Sequence, residues 1–232
     1  MSDDKKNELV VHSASELTLN FPEANPHISE EDANRTRIAI RKKGAYTLDG
    51  KAFINKKAIP RILATDNNGA NRFVNDLDDE QKMQNGEETL VSVPAVMEEI
   101  SKRIQWPIDT IKREKLKDNE NCVVTLRDAP ELEKYREVQE SRIRKELPSL
   151  KKKKIKAESV TACQVTSQPL QLNAHAHHIS RKADNPDQAL DLSNIAVVNP
   201  EPHDEIHEAG AESPAEFSAL CKAKDWNDPT KR

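Results

Sequence analysis

Apolar positions along this chain change their period several times. Ile38 and Ile40 alternate with Arg37 and Arg41, a two-residue period that predicts a strand. Gly44 and the Asp49-Gly50 pair then punctuate a turn and a second segment. Residues 56–64 form a short apolar segment interrupted by Pro60. Residues 66–69, DNNG, read as a turn, and the polar residues 76–88 as a loop. From Ser92 the period lengthens. Val96, Met97, Ile100 and Ile104 make a stripe at helical spacing, with Ser92 able to cap and Pro94 suited to the first turn. Trp106-Pro107 breaks that helix, and Ile108 and Ile111 begin another. Residues 128–147 predict a charged helix with a narrow seam of Leu132, Tyr135, Val138, Arg142 and Ile143, ended by Pro148. Near the end, residues 171–179 alternate as a strand, residues 181–193 form a polar loop, and Ile195 to Val198 is β-branched and strand-like. Asn199, Pro200 and Pro202 then suit the start of a helix carrying His203, Ile206 and His207.

Composition narrows the reading. Of 232 residues, 35% are hydrophobic and 33% charged, with only 3% aromatic, so one large core along the whole length is excluded. The expected architecture is α+β: a mixed, mostly helical N-terminal and middle region, followed by a strand–loop–strand–helix unit. The expected divisions are an acidic, flexible arm over 1–34, a small α+β region over 35–127, a charged helix and basic linker over 128–158, and a module over 159–232. Within the arm, Leu17, Leu19 and Phe21 alternate and can form a short strand or docking segment. Cys122, Cys163 and Cys221 are odd in number and far apart, which fits free thiols rather than a disulfide framework or paired zinc clips. No signal-peptide core and no run of membrane-spanning length is present, so a cytoplasmic protein without a membrane partner is expected.

The net charge of −4 does not advertise a polyanion partner, but its distribution is uneven. Residues 142–156, RIRKELPSLKKKKIK, are strongly basic, and Lys151, Lys152, Lys153 and Lys154 fit either a solvated linker or a phosphate contact. Residues 93–117 resemble a helix-turn-helix, with Ile100, Ile104, Trp106 and Ile111 expected to point inward. Asp109, Thr110, Lys112 and Arg113 would then face a DNA groove. A plain helical hairpin with a solvated charged face explains the same pattern.

Five of the seven histidines, His175, His177, His178, His203 and His207, fall between residues 173 and 210. His203 and His207, four apart, share a helix face. The text HHISRKADNPDQALDLSNIAVVNPEPHDEIH resembles the HNH, or ββα-metal, nucleases, and is most similar to the DNase domains of colicins and S-type pyocins. Asn194 and the run N-I-x-V-x-x-P-x-x-H-x-x-I-H from Asn194 to His207 carry that resemblance. It implies that His177, His203 and His207 ligate one divalent ion (Mg, Mn, Ni or Zn). It further implies that His178 is the general base and that Asn194 holds the base loop. DNA is then the implied partner, with a homo-oligomer and an inhibitory or activating protein as further expectations. The acid and Arg that colicin-type domains carry before the paired histidines are absent from the corresponding QPLQLNA, so Arg181 and Lys182 are the expected phosphate contacts. The competing reading is a non-enzymatic DNA-binding regulator, with the helix-turn-helix and a structural metal site.

Overall fold

A computed structural model describes residues 10–231. The fold is α+β and consists of two compact units divided between Gln139 and Glu140.

The first unit contains β1 (Val11–Ser13), α1 (Glu30–Lys43), β2 (Gly44–Thr47), β3 (Ala52–Asn55), α2 (Ile59–Ile62), α3 (Asn67–Asp76), β4 (Lys82–Asn85), β5 (Glu88–Ser92), α4 (Val93–Ile104), α5 (Thr110–Arg127) and the start of α6 (Pro130–Glu146). The five strands form one antiparallel sheet in the order β1-β2-β3-β5-β4. The strand pleat sorts the side chains. Tyr46, Ala52, Ile54 and Val91 join Ile40, Ile100, Leu116 and Leu126 in the main core, while Ala45, Phe53 and Leu90 form a smaller cluster. The β2–β3 turn needs a glycine. Gly50 has φ +85°, and a Cβ there would lie 2.5 Å from the Arg136 side chain.

Several expectations for this unit are corrected. The strand expected around Ile38 and Ile40 is the helix α1. Ser29 caps it, Glu30, Glu31 and Asp32 fill its first turn and Arg41, Lys42 and Lys43 its last, a charge order that suits the helix dipole. Ala33, Thr36 and Ile40 are buried at helical spacing, whereas Ile38 is 50% exposed. The DNNG turn is the start of α3, because the Asp66 carboxylate accepts from the Gly69 N–H at 2.7 Å. The polar stretch read as a loop contains β4, a hairpin partner of β5. The acidic arm is also not loose where it is described. Residues 11–13 pair with β2, and Leu17 and Leu19 are buried in the main core; the part of that expectation covering residues 1–9 lies outside the described residues.

The helix–break–helix at residues 93–117 is present as α4 and α5, with Ser92 capping and Pro94 in the first turn as expected. Its inward set is only half right. Ile100 is fully buried and Ile104 packs on the core, but Trp106 is 47% and Ile111 67% exposed. Asp109 caps α5 by accepting from Lys112 N at 2.8 Å. Arg113 donates to the carbonyls of Ile104 and Trp106, both at 3.1 Å, and so closes the end of α4. Of the seam expected on α6, Leu132 is buried and Val138 is 63% exposed.

The second unit contains the rest of α6, then α7 (Leu150–Glu158), β6 (His175–His178), β7 (Ile195–Val198), α8 (Pro200–Glu208) and α9 (Pro214–Ala223). β6 and β7 are antiparallel, pairing His177 with Ala196 and His178 with Ile195. A two-stranded sheet is marginal by itself. Here all four β7 residues are buried, and Ala196 and Val198 pack with Ile179, Ile206, Phe217 and Cys221. The lysine run read as a linker is the helix α7. Lys154 is buried, and its ammonium donates to Leu192 O at 2.8 Å and to Glu158 at 2.5 Å. The three cysteines are free and buried. No described helix is long and apolar enough to cross a membrane.

Candidate metal centre

β6, β7 and α8 follow one another as strand, loop, strand and helix, and they bring the histidines together. His177 is buried on β6, and its ring stacks on Phe217 of α9 at 5.7 Å between centroids. His203 and His207 project from one face of α8 and lie edge to face with His177, with centroids 5.6 and 5.2 Å away. One nitrogen from each of His177, His203 and His207 lies within 4.8 Å of the other two.

Three observations fit a cation among these nitrogens. His177 Nε2 is buried and has no hydrogen-bond partner, a costly state for a polar atom unless something else accepts its lone pair. The two Nε2 atoms of His203 and His207 are 3.3 Å apart. Two imidazole ligands about 2.05 Å from a tetrahedral ion would stand about 3.3 Å from each other. Two of the three imidazoles, His177 and His203, are also biased toward the neutral form that binds metal. Burial, then the nearby His207 and His203, pushes His177 down to about 4, and burial lowers His203 as well.

His178, next to His177 on β6, lines a cleft of about 210 Å³ that His177, His203 and His207 also line. Its Nε2 lies 2.9 Å from the Ala189 carbonyl. A carbonyl only accepts, so Nε2 carries the proton and Nδ1 keeps its lone pair. The loop that supplies Ala189 is fastened by Asn194, which is 6% exposed. Asn194 Oδ1 accepts from Ser180 N at 2.7 Å, and its Nδ2 donates to Ser180 O at 3.0 Å and Gln188 O at 3.2 Å. Asn199, expected to cap α8, does something else: its side chain bonds Gln171 N and Pro169 O, fixing the approach to β6. His175 is exposed and stacks on His203 with centroids 4.5 Å apart, outside the three-nitrogen group.

The expected phosphate contacts have different fates. Arg181 and Lys182 line the cleft. Arg181 also pairs with Glu212 at 3.1 Å, a cleft residue that no sequence pattern marks. Lys151 donates to Ala174 O at 2.9 Å, Lys153 pairs with Glu146 at 2.7 Å, and Lys154 is buried, so three of the four lysines have partners within the protein. Lys152 is exposed. Lys112 and Arg113 lie in the first unit, on α5. Sequence reasoning missed Ala189, Gln188 and Ser180, which act through main-chain atoms, and Phe217, which shows only as an apolar helix position.

No family model matches the chain, and neither the curated proteins nor the solved structures searched contain a match to it.

Proposed function

We propose that the protein is a metal-dependent endonuclease of the HNH, ββα-metal kind, hydrolysing DNA phosphodiester bonds. The observation that carries this reading is the convergence of His177, His203 and His207 beside a His178 whose Nδ1 is free. His177, His203 and His207 would hold one divalent ion. Three imidazole ligands suit Zn, Ni or Mn better than Mg. Such an ion supplies Lewis-acid stabilisation of charge on the phosphoryl and leaving oxygens.

The chain's own residues supply the rest. His178 Nδ1 accepts the proton of the attacking water, while the Ala189 carbonyl fixes the ring and stabilises the imidazolium that results. Asn194 keeps Ala189 in place by holding both ends of its loop. Lys182 and Arg181 meet the phosphate at the cleft, Arg181 after exchanging Glu212 for the substrate. The regulator reading has less support, since Arg113 closes α4 through its carbonyl bonds.

Plasmid nicking tests the proposal. With Mn²⁺, Ni²⁺, Zn²⁺ or Mg²⁺ the wild type is expected to nick supercoiled DNA. His178→Ala should lower the rate by about 10²–10⁴-fold while retaining metal binding. Intact plasmid with every ion, and a His178→Ala protein indistinguishable from wild type, would sink the nuclease reading.

A further inference from the structure

The outward face of α1 combines amide, aliphatic and cationic side chains. Asn34, Arg37, Ile38 and Arg41 recur at three- and four-residue spacing. Together with Leu19, Asn20 and Phe21 of the preceding extended segment they line a groove of about 510 Å³ with no carboxylate in its lining. Negative charge on α1 is confined to its first turn, where Glu31 pairs with Arg35 and Asp32 with Arg61 and Lys115, leaving Glu30 at the end of the helix away from Arg41. At the other end Arg41, Lys42 and Lys43 are exposed, and among the described residues none has a carboxylate partner.

Arg41 is also held in position. Its guanidinium lies over the Phe21 ring, 5.4 Å from the centroid, and one Nη donates to Leu19 O at 3.3 Å. Among the described residues its other N–H groups have no hydrogen-bond partner. An arginine fixed in this way loses less rotamer freedom when it meets a phosphate. Arg37, paired to the buried Asp118, braces the groove floor. Ile38, half exposed, adds an apolar contact between two cations.

We propose that this face of α1, centred on Arg41 and Lys42 with Ile38 and Asn34 beside them, is a docking surface for duplex DNA. The exposed cations complement the phosphate backbone. Asn and an aliphatic side chain on a helix are suited to base edges and thymine methyl groups in the major groove. The choice of DNA as polyanion rests on the nuclease reading; the surface itself does not depend on the histidine site.

The test measures binding of a labelled 30-base-pair duplex to the full-length chain carrying His178→Ala, by fluorescence anisotropy across a salt series. Arg41→Gln with Lys42→Gln is expected to weaken binding about tenfold or more at low salt. It should also reduce the slope of log K against log salt by about 1.8, two phosphate contacts. Lys42→Gln alone, whose side chain has no hydrogen bond or ion pair among the described residues, should give about half that change in slope. Lys112→Gln on α5 should leave affinity and slope unchanged. Wild-type affinity and slope in the α1 variants overturns the proposal. So does an absence of duplex binding, an equal loss with Lys112→Gln, or tighter binding of an RNA hairpin of equal length. Plasmid nicking, measured separately, distinguishes the two readings. α1-dependent binding without nicking leaves this proposal standing and removes the nuclease; nicking with α1 variants that bind normally does the reverse.

Discussion

The two units hold their shapes by different means. The first buries two dozen residues in one main core between its sheet and helices, and side-chain bonds to its main chain, such as those of Asn119, Arg113 and Arg136, are added to a core already large. The second buries nine residues in its main cluster around a two-stranded sheet. It relies on polar side chains that bond main-chain atoms: Asn194, Asn199, Lys151, Lys154 and His178 all do so. A small core cannot offset much conformational entropy. Polar staples fix the loops instead, and the three imidazoles are left facing one another.

That difference predicts where each perturbation acts. Hydrogen exchange followed by mass spectrometry reads the units separately. The largest effect is expected from metal. Zn²⁺ or Ni²⁺ at a thousand times Kd should add about 4 kcal/mol to protection of β6, β7 and α8 and leave β3 and β5 unchanged. Equal shifts in both units, or none, would contradict a metal-stabilised second unit. Asn194→Ala comes next. It strands the buried Ser180 N–H and frees two carbonyls, and should cost the second unit about 3 kcal/mol with the first unaffected.

Acid gives a smaller and graded effect. The folded His177 is held down to about 4, below the ordinary histidine value of 6.5. Between those values the unfolded chain binds a proton that the folded unit refuses. Stability is therefore full above pH 6.5 and falls as pH drops toward 4, by on the order of 2 kcal/mol at pH 4.5 without metal. His177→Phe should flatten that dependence; an unaltered slope would show that another group sets it. The smallest contrast lies within α7. Lys154→Met breaks a part-buried ion pair and a bond to Leu192 O and should cost about 1–2 kcal/mol, whereas Lys152→Met, on the exposed side, should change stability by less than about 0.5. Urea titration of the two variants resolves the difference.

The same contrast explains what the sequence made legible. The α8 histidines were readable because i,i+4 spacing is local geometry, and the α4 stripe and its Ser92 cap for the same reason. α1 was not, because I-A-I between arginines satisfies a two-residue period, while the buried set Ala33, Thr36 and Ile40 includes an alanine and a threonine that carry little apolar signal. The lysine run declared its charge but not its destination, which depends on carbonyls near residues 174 and 192. The groups around His178 were invisible for a stronger reason. Ala189 and Gln188 contribute only their carbonyl oxygens, and every residue type has one. Trp106 and Ile111 were placed inward because they are large and apolar, yet the Arg113 bonds set the corner that turns both outward.

The Asn194 bonds have a consequence for how this module tolerates change. They grip the loop at Ser180 and Gln188, so the exposed residues 182–187 hang from a fixed base. On the proposed nuclease function, substitution at residues 182–184 would alter what meets the incoming strand, whereas Asn185 and Pro186 bond back to Ser180 and Ala189 and belong to the support of His178. The loop is in effect an interchangeable bit in a locked chuck: residues 182–184 are the part open to change, and the residues from Asn185 on belong to the grip.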